Sequence, residues 1–116
     1  METVVTDYLA TWNAQGEERS GLLARHFAED VTYTDPLAVS TGRDQLGAVI
    51  GAVQQQFPGM SLRPHGTPDG HHDQVRFQWA LGPAEGEPVV IGFDVLVVDS
   101  QGLISDVRGF LDKVPG

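Results

Sequence analysis

An aspartate stands in the middle of VVIGFDVLVV, residues 89–98. Aspartate is a poor strand former, and its ionised form is rarely buried without a partner. Asp94 must therefore pair with a cation, stay wet or take up a proton. A protonated carboxyl donates a hydrogen bond, which a carboxylate does not. A second aspartate, Asp35, precedes Pro36 in VTYTDP. Its bland role is to shape a turn. Its chemical role would be a general base standing free beside an apolar ligand, within reach of the C–H that it attacks. Tyr33 lies two residues earlier on the same strand face, where it could act as a supporting donor. Tyr8 sits in YLATWNAQG, either as a plain core tyrosine or as a donor to an oxygen.

Arg108 is the obvious cation for Asp94, across the DSQG turn. Whether the two share a face depends on register. If Val98 pairs with Leu103, Asp94 lies opposite Val107 and Arg108 points away; a bulge at Gly102 could shift this by one residue. His71 and His72, with Asp69 and Asp73 nearby, invite a metal reading, but adjacent histidines in a polar turn seldom converge on one ion. We therefore expect no metal site there. His26 and His65 carry no signal. Nucleophile elbow, phosphate loop and dinucleotide fingerprint are all missing from the sequence.

The elements that position these residues follow from hydrophobic period. Val4, Val5, Tyr8, Leu9 and Trp12 recur at helical spacing, with Gly16 placed as a C-cap, so residues 3–15 are expected to form a helix. Leu22, Leu23, His26 and Phe27 mark a second helix, about 18–29. VTYTDP is a short strand stopped by Pro36. Leu46, Val49, Ile50, Val53 and Phe57 give a third helix, about 42–56, closed by Pro58-Gly59. Only strands are expected after that. Ser61 to about Thr67 suits a sheet edge, because it carries Pro64 with Pro68 following. Val75, Phe77, Trp79 and Leu81 alternate with more polar neighbours. Val89–Val98 is apolar on both faces, and Leu103–Leu111 returns after DSQG. Long strands joined by tight turns predict an antiparallel sheet, and segregation of helices from strands predicts an α+β fold with helices on one face of a curved sheet. The other face, with Val95 and Val97, predicts a homodimer through the outer sheet face.

Composition bounds the rest. The chain has 116 residues, 41% hydrophobic and 20% charged, enough for one domain over 1–116. Without cysteine there is no disulfide or thiolate chemistry. Sixteen acids against seven bases give a formal charge of −9, which argues against nucleic acid and anionic membranes as partners. METVVTDYLATW is unlike a signal peptide and no apolar run could span a bilayer as a helix, so a cytoplasmic protein is expected.

Three stretches carry a family resemblance. YLATWNAQG, FAEDVTYTDP followed by GRDQL, and FDVLVVDSQGLI together resemble the ketosteroid isomerase branch of the nuclear transport factor 2-like (SnoaL-like) superfamily, which also holds polyketide cyclases, an epoxide hydrolase and small binding domains. The resemblance implies a cone in which three helices close over a bent antiparallel sheet around a deep apolar pocket. It implies that Tyr8 matches the catalytic tyrosine, Asp35 the catalytic base and Asp94 the acid that holds the oxyanion, kept neutral by its apolar site so that it can donate. It further implies an apolar, steroid- or polyketide-like ketone as substrate, a dienolate intermediate and no cofactor. Trp12, Tyr33, Phe77, Trp79, Leu81, Leu96, Val107 and Leu111 are then candidates for the pocket wall. Polyketide-cyclase-like aldol chemistry, a hydrolase and a non-catalytic binding module share the same fold.

Overall fold

Val5, Tyr8, Leu9 and Trp12 fall on one side of the first helix, and that side is buried. In the computed structural model, which describes residues 2–115, this helix is α1 (Glu2–Asn13). It is followed by α2 (Gly16–His26), β1 (Phe27–Thr34), β2 (Val39–Thr41), α3 (Arg43–Gln56), β3 (Ser61–His71), β4 (Gln74–Gly82), β5 (Val90–Val98) and β6 (Ile104–Lys113). The six strands form one curved, unclosed sheet in the order β2-β1-β6-β5-β4-β3. The α+β architecture expected from the sequence is the one observed.

The second helix is shorter than its apolar pattern suggests. It stops at His26, and Phe27 is already extended at φ −119, ψ 145. The competing force is tertiary: Phe27 pairs with Ile104 in β6 and is fully buried. A bulge between Phe27 and Thr32 then breaks the ladder. The Phe27 carbonyl is satisfied instead by Arg43, whose Nε and Nη2 donate to it at 3.0 and 2.7 Å. Gly42, at φ 89, turns the chain into α3, and its N–H donates to the Val31 carbonyl at 2.8 Å. The GR dipeptide thus fastens the start of α3 to β1.

β1 runs parallel to β6, while every other strand pair is antiparallel. β3 is an edge strand, as its prolines require, and extends to His71 after a register shift between His65 and Asp69. The polar turn that carries the histidines is confined to His72 and Asp73, with His72 at φ 55. No helix among the described residues is long and apolar enough to cross a membrane.

On β5 the residues alternate. Val90, Gly92, Asp94 and Leu96 are buried under the helices, while Ile91, Phe93, Val95 and Val97 are half-buried on the outer face. Phe110 lies beside Phe93 there, ring centroids 6.3 Å apart, and is 57% exposed.

Candidate active site

The DSQG turn decides what faces Asp94. Asp99 Oδ1 accepts from the backbone N–H of Gln101 and Leu103, and Gly102 takes φ 82. Val98 then pairs with Ile104, a register shift follows, and Asp94 lies opposite Gly109. Neither Val107 nor Arg108 is its partner. Arg108 stands opposite Val95, and its Nε donates to Asp106 at 2.9 Å. The expected Val98–Leu103 register is therefore corrected, and the question of an ion pair closes: among the described residues no cation pairs with Asp94.

Asp94 is 3% exposed, and Tyr8 donates to its Oδ2 at 2.9 Å. Burial pushes its carboxyl up to about 6; the nearby Trp79 indole and the Tyr8 hydroxyl pull the other way, and Asp35 adds a like charge that raises it. The neutral form is thus far more favoured than in an exposed aspartate.

Tyr8 is itself fully buried, packed against Phe27 and edge-on to Phe77 at 5.7 Å. Burial, followed by the charge of Asp94, drives its hydroxyl well above the ordinary phenol range, so it remains a donor. It sits behind Asp94, outside the cavity wall.

The parallel pairing of β1 with β6 brings Tyr33 opposite Val107 and Thr34 opposite Arg108, which carries Asp35 to the level of Gly109. Asp35 does cap its turn: Oδ1 accepts from the backbone N–H of Leu37 and Ala38, each at 2.7 Å. Oδ2 accepts from the Tyr33 hydroxyl at 2.5 Å. The latter oxygen keeps a spare lone pair, so the turn and a proton-accepting role are compatible. Burial, then the hydrogen bond to Asp35, holds the Tyr33 phenol well above its ordinary range.

Gly109 separates the two acids. A methyl group on it would lie 2.7 Å from Asp94 Oδ1 and 3.4 Å from Asp35 Cβ. Those two atoms are therefore no more than about 6 Å apart, close enough for like charges to interact. Gly109→Ala should force the Asp94 carboxyl off its Tyr8 contact. Backbone strain is not involved, because Gly109 lies outside the positive-φ set. Overpacking of this kind costs about 1–3 kcal/mol, to be read in a thermal melt, and a structure of the variant should show Asp94 displaced. An unchanged melting temperature with Asp94 in place would contradict this account of Gly109.

The acids face a cavity of about 320 Å³. Trp12 of α1, Tyr33 of β1, Trp79 and Leu81 of β4 and Leu111 of β6 line it, as expected for those five. Phe77, Leu96 and Val107 do not: their side chains are spent in the packed core. The position of Trp12 is secured by Gln54, whose Nε2 donates to the carbonyls of Trp12 and Ala14 at 2.9 and 2.8 Å, satisfying the open end of α1. Sequence reasoning missed Val53, Gln56 and Phe57 as wall residues, although the stripe that defines α3 contains two of them. It also missed Val90, Leu62 and Leu37.

His71 and His72 meet edge-on at 5.2 Å, far along the hairpin from the cavity wall. Among the described residues no group of three or more histidine or acidic side chains is arranged to hold a metal.

No curated protein matches the chain. Among solved structures, a candidate isomerase of the SnoaL-like family from Agrobacterium tumefaciens is 40% identical, with a TM-score of 0.90 and 95% of each chain covered. A candidate polyketide cyclase from Sinorhizobium meliloti is 16% identical, with a TM-score of 0.72 over 92% of this chain and 93% of that one. A candidate SnoaL-like polyketide cyclase from Jannaschia is 15% identical, with a TM-score of 0.75 over 95% and 83%. The last two share the fold alone. A family model of the SnoaL-like domain matches residues 5–107. With that match spanning most of the chain, and a near-complete overlap at 40% identity, this protein belongs to the SnoaL-like family, built on the nuclear transport factor 2-like fold.

Proposed function

We propose that this chain is a ketosteroid isomerase-like enzyme, shifting a proton within an apolar unsaturated ketone through a dienolate. Asp35 takes the proton from the carbon beside the carbonyl. The electron pair moves to the carbonyl oxygen, where Asp94 in its neutral form donates a hydrogen bond. Asp35 then returns the proton to the remote carbon of the dienolate. Tyr8 acts at one remove: by donating to Asp94 Oδ2 it makes the opposite oxygen a better donor. The substrate and product have the same composition, so the step needs no redox partner.

One observation carries this reading. Two carboxyl groups, free of any cation among the described residues, meet at one apolar cavity, and burial favours the neutral form of one of them. Its test is turnover of a β,γ-unsaturated cyclic ketone to the conjugated isomer, followed by the ultraviolet absorbance of the product. Failure to accelerate isomerisation of either a steroid or a bicyclic ketone would refute it.

An aldol closure, as in polyketide cyclases, is the second reading. What favours it is the Asp94 titration near 6, which would suit a base at neutral pH. The two differ in sign. As a donor Asp94 must be neutral, so kcat/KM falls as pH rises through about 6; as a base it must be ionised, so kcat/KM rises over the same interval. A binding module would show ligand-induced thermal stabilisation without turnover. The apolar outer face formed by Ile91, Phe93, Val95, Val97 and Phe110 supports a homodimer, which sedimentation equilibrium would test.

A further inference from the structure

Trp79 has a buried indole N–H without a hydrogen-bond partner. Its place is set by Gly92, directly opposite in β5. A methyl group at Gly92 would lie 2.0 Å from Cζ2 and 2.3 Å from Cε2 of the indole. The ring therefore occupies the space where a side chain on β5 would begin. Cε2 carries the indole nitrogen, so the nitrogen-bearing edge rests on β5 at Gly92. Asp94 is the next residue along that same face. The N–H is close enough to Asp94 for its dipole to favour the carboxylate, but it completes no hydrogen bond of acceptable geometry. Trp79 and Asp94 both line the cavity, whereas Tyr8 does not. A buried donor left empty is unfavourable, and a ligand oxygen arriving beside Asp94 would relieve it.

We propose that the Trp79 indole N–H is the second donor to the substrate oxygen, standing beside Asp94 in the cavity while the Tyr8 hydroxyl is occupied behind it. This rests on the enolate reading above. It narrows the ligand class to an apolar ring with an oxygen at its edge, since most of the wall is apolar side chains and Asp94 and the Trp79 indole stand together on one side of it. Gly92 is then a positioning residue, because any larger side chain would displace the indole.

The probe is 2-naphthol, a planar phenol whose oxygen stands in for the enolate oxygen, with naphthalene as the oxygen-free control. Titrations at about pH 5 keep Asp94 mostly neutral. In the wild type labelled with nitrogen-15 at indole, the Trp79 Nε1–H resonance is expected to move downfield with 2-naphthol and not with naphthalene. Trp79→Phe is expected to weaken 2-naphthol about tenfold while changing naphthalene less than about twofold. Equal indole shifts with both probes, or equal losses of affinity for both, overturn the donor role and leave the enolate reading standing. If neither probe binds the wild type, the enolate reading falls and the donor role with it. The resonance measurement needs no variant, so poor folding of Trp79→Phe does not shield the proposal.

Discussion

Asp35→Asn is expected to slow isomerisation of a β,γ-unsaturated ketone by about 10²–10⁴-fold, the range contributed by a positioned general base. The substitution is close to isosteric. The amide oxygen still accepts from the Leu37 and Ala38 N–H groups, so the turn survives. The amide nitrogen replaces Oδ2, and Tyr33 can accept from it in place of donating to it. Melting temperature and 2-naphthol affinity should therefore stay near the wild-type values while kcat collapses. That combination separates lost basicity from lost structure. A variant that turns over at the wild-type rate would remove Asp35 from the chemistry and reduce it to a turn residue.

Asp94→Asn has the second large effect, and it acts on stability as well as rate. The folded protein raises the Asp94 carboxyl from 3.8 to about 6, so between those values the native state holds more protons than the unfolded chain. The contribution of Asp94 to stability accordingly falls as pH rises from about 4 to about 6 and levels off above. The shift corresponds to about 3 kcal/mol lost at neutral pH, a conversion that suits a group only 3% exposed. Asparagine cannot ionise. The variant should melt several degrees above the wild type at pH 7.5, and near or below it at pH 4. Subtracting the two pH profiles cancels the titrating groups that lie away from Asp94. The rate is the second readout. An amide N–H is a weaker donor than a carboxylic acid, but it is a donor at every pH. If Asp94 donates, the variant keeps part of its activity and loses the decline through pH 6. If Asp94 is a base, the variant is dead. A flat difference in melting temperature between pH 4 and 7.5 would show that the carboxyl is not held in a desolvated site.

How much of this was legible before folding differs from residue to residue. α1 and α3 announce themselves through helical period, β4 through a period of two, and β5 as an apolar run interrupted by Gly92 and Asp94. Those signals are local, and they placed Trp12, Trp79 and Leu81 on faces that do line the cavity. The end of α2 was not legible: Phe27 continues the helical stripe, and only its parallel pairing with Ile104, far along the chain, pulls it into β1. The parallel strand pair had no local signature for the same reason. The partner of Asp94 hinged on two one-residue offsets beyond DSQG, the pairing of Val98 with Ile104 and a further shift between Val97 and Val98, which together move the opposite residue from Val107 to Gly109. Gly92 and Gly109 did carry a signal, since an isolated glycine in a strand marks close approach of another group. What approaches could not be named without the neighbouring strands.

β6 lies between β1 and β5, so the strand that brings the two carboxyl groups together is also the last of the described strands to leave the ribosome. Until it arrives, β1 and β5 each present an open edge, and the half-built cone exposes the hydrocarbon that later walls the cavity. Docking of β6 is thus a single late step that closes both seams and creates the reaction centre at once. In a refolding experiment, recovery of ligand binding should lag behind recovery of helical signal, because loop closure over most of the chain must precede any reward from the pairing.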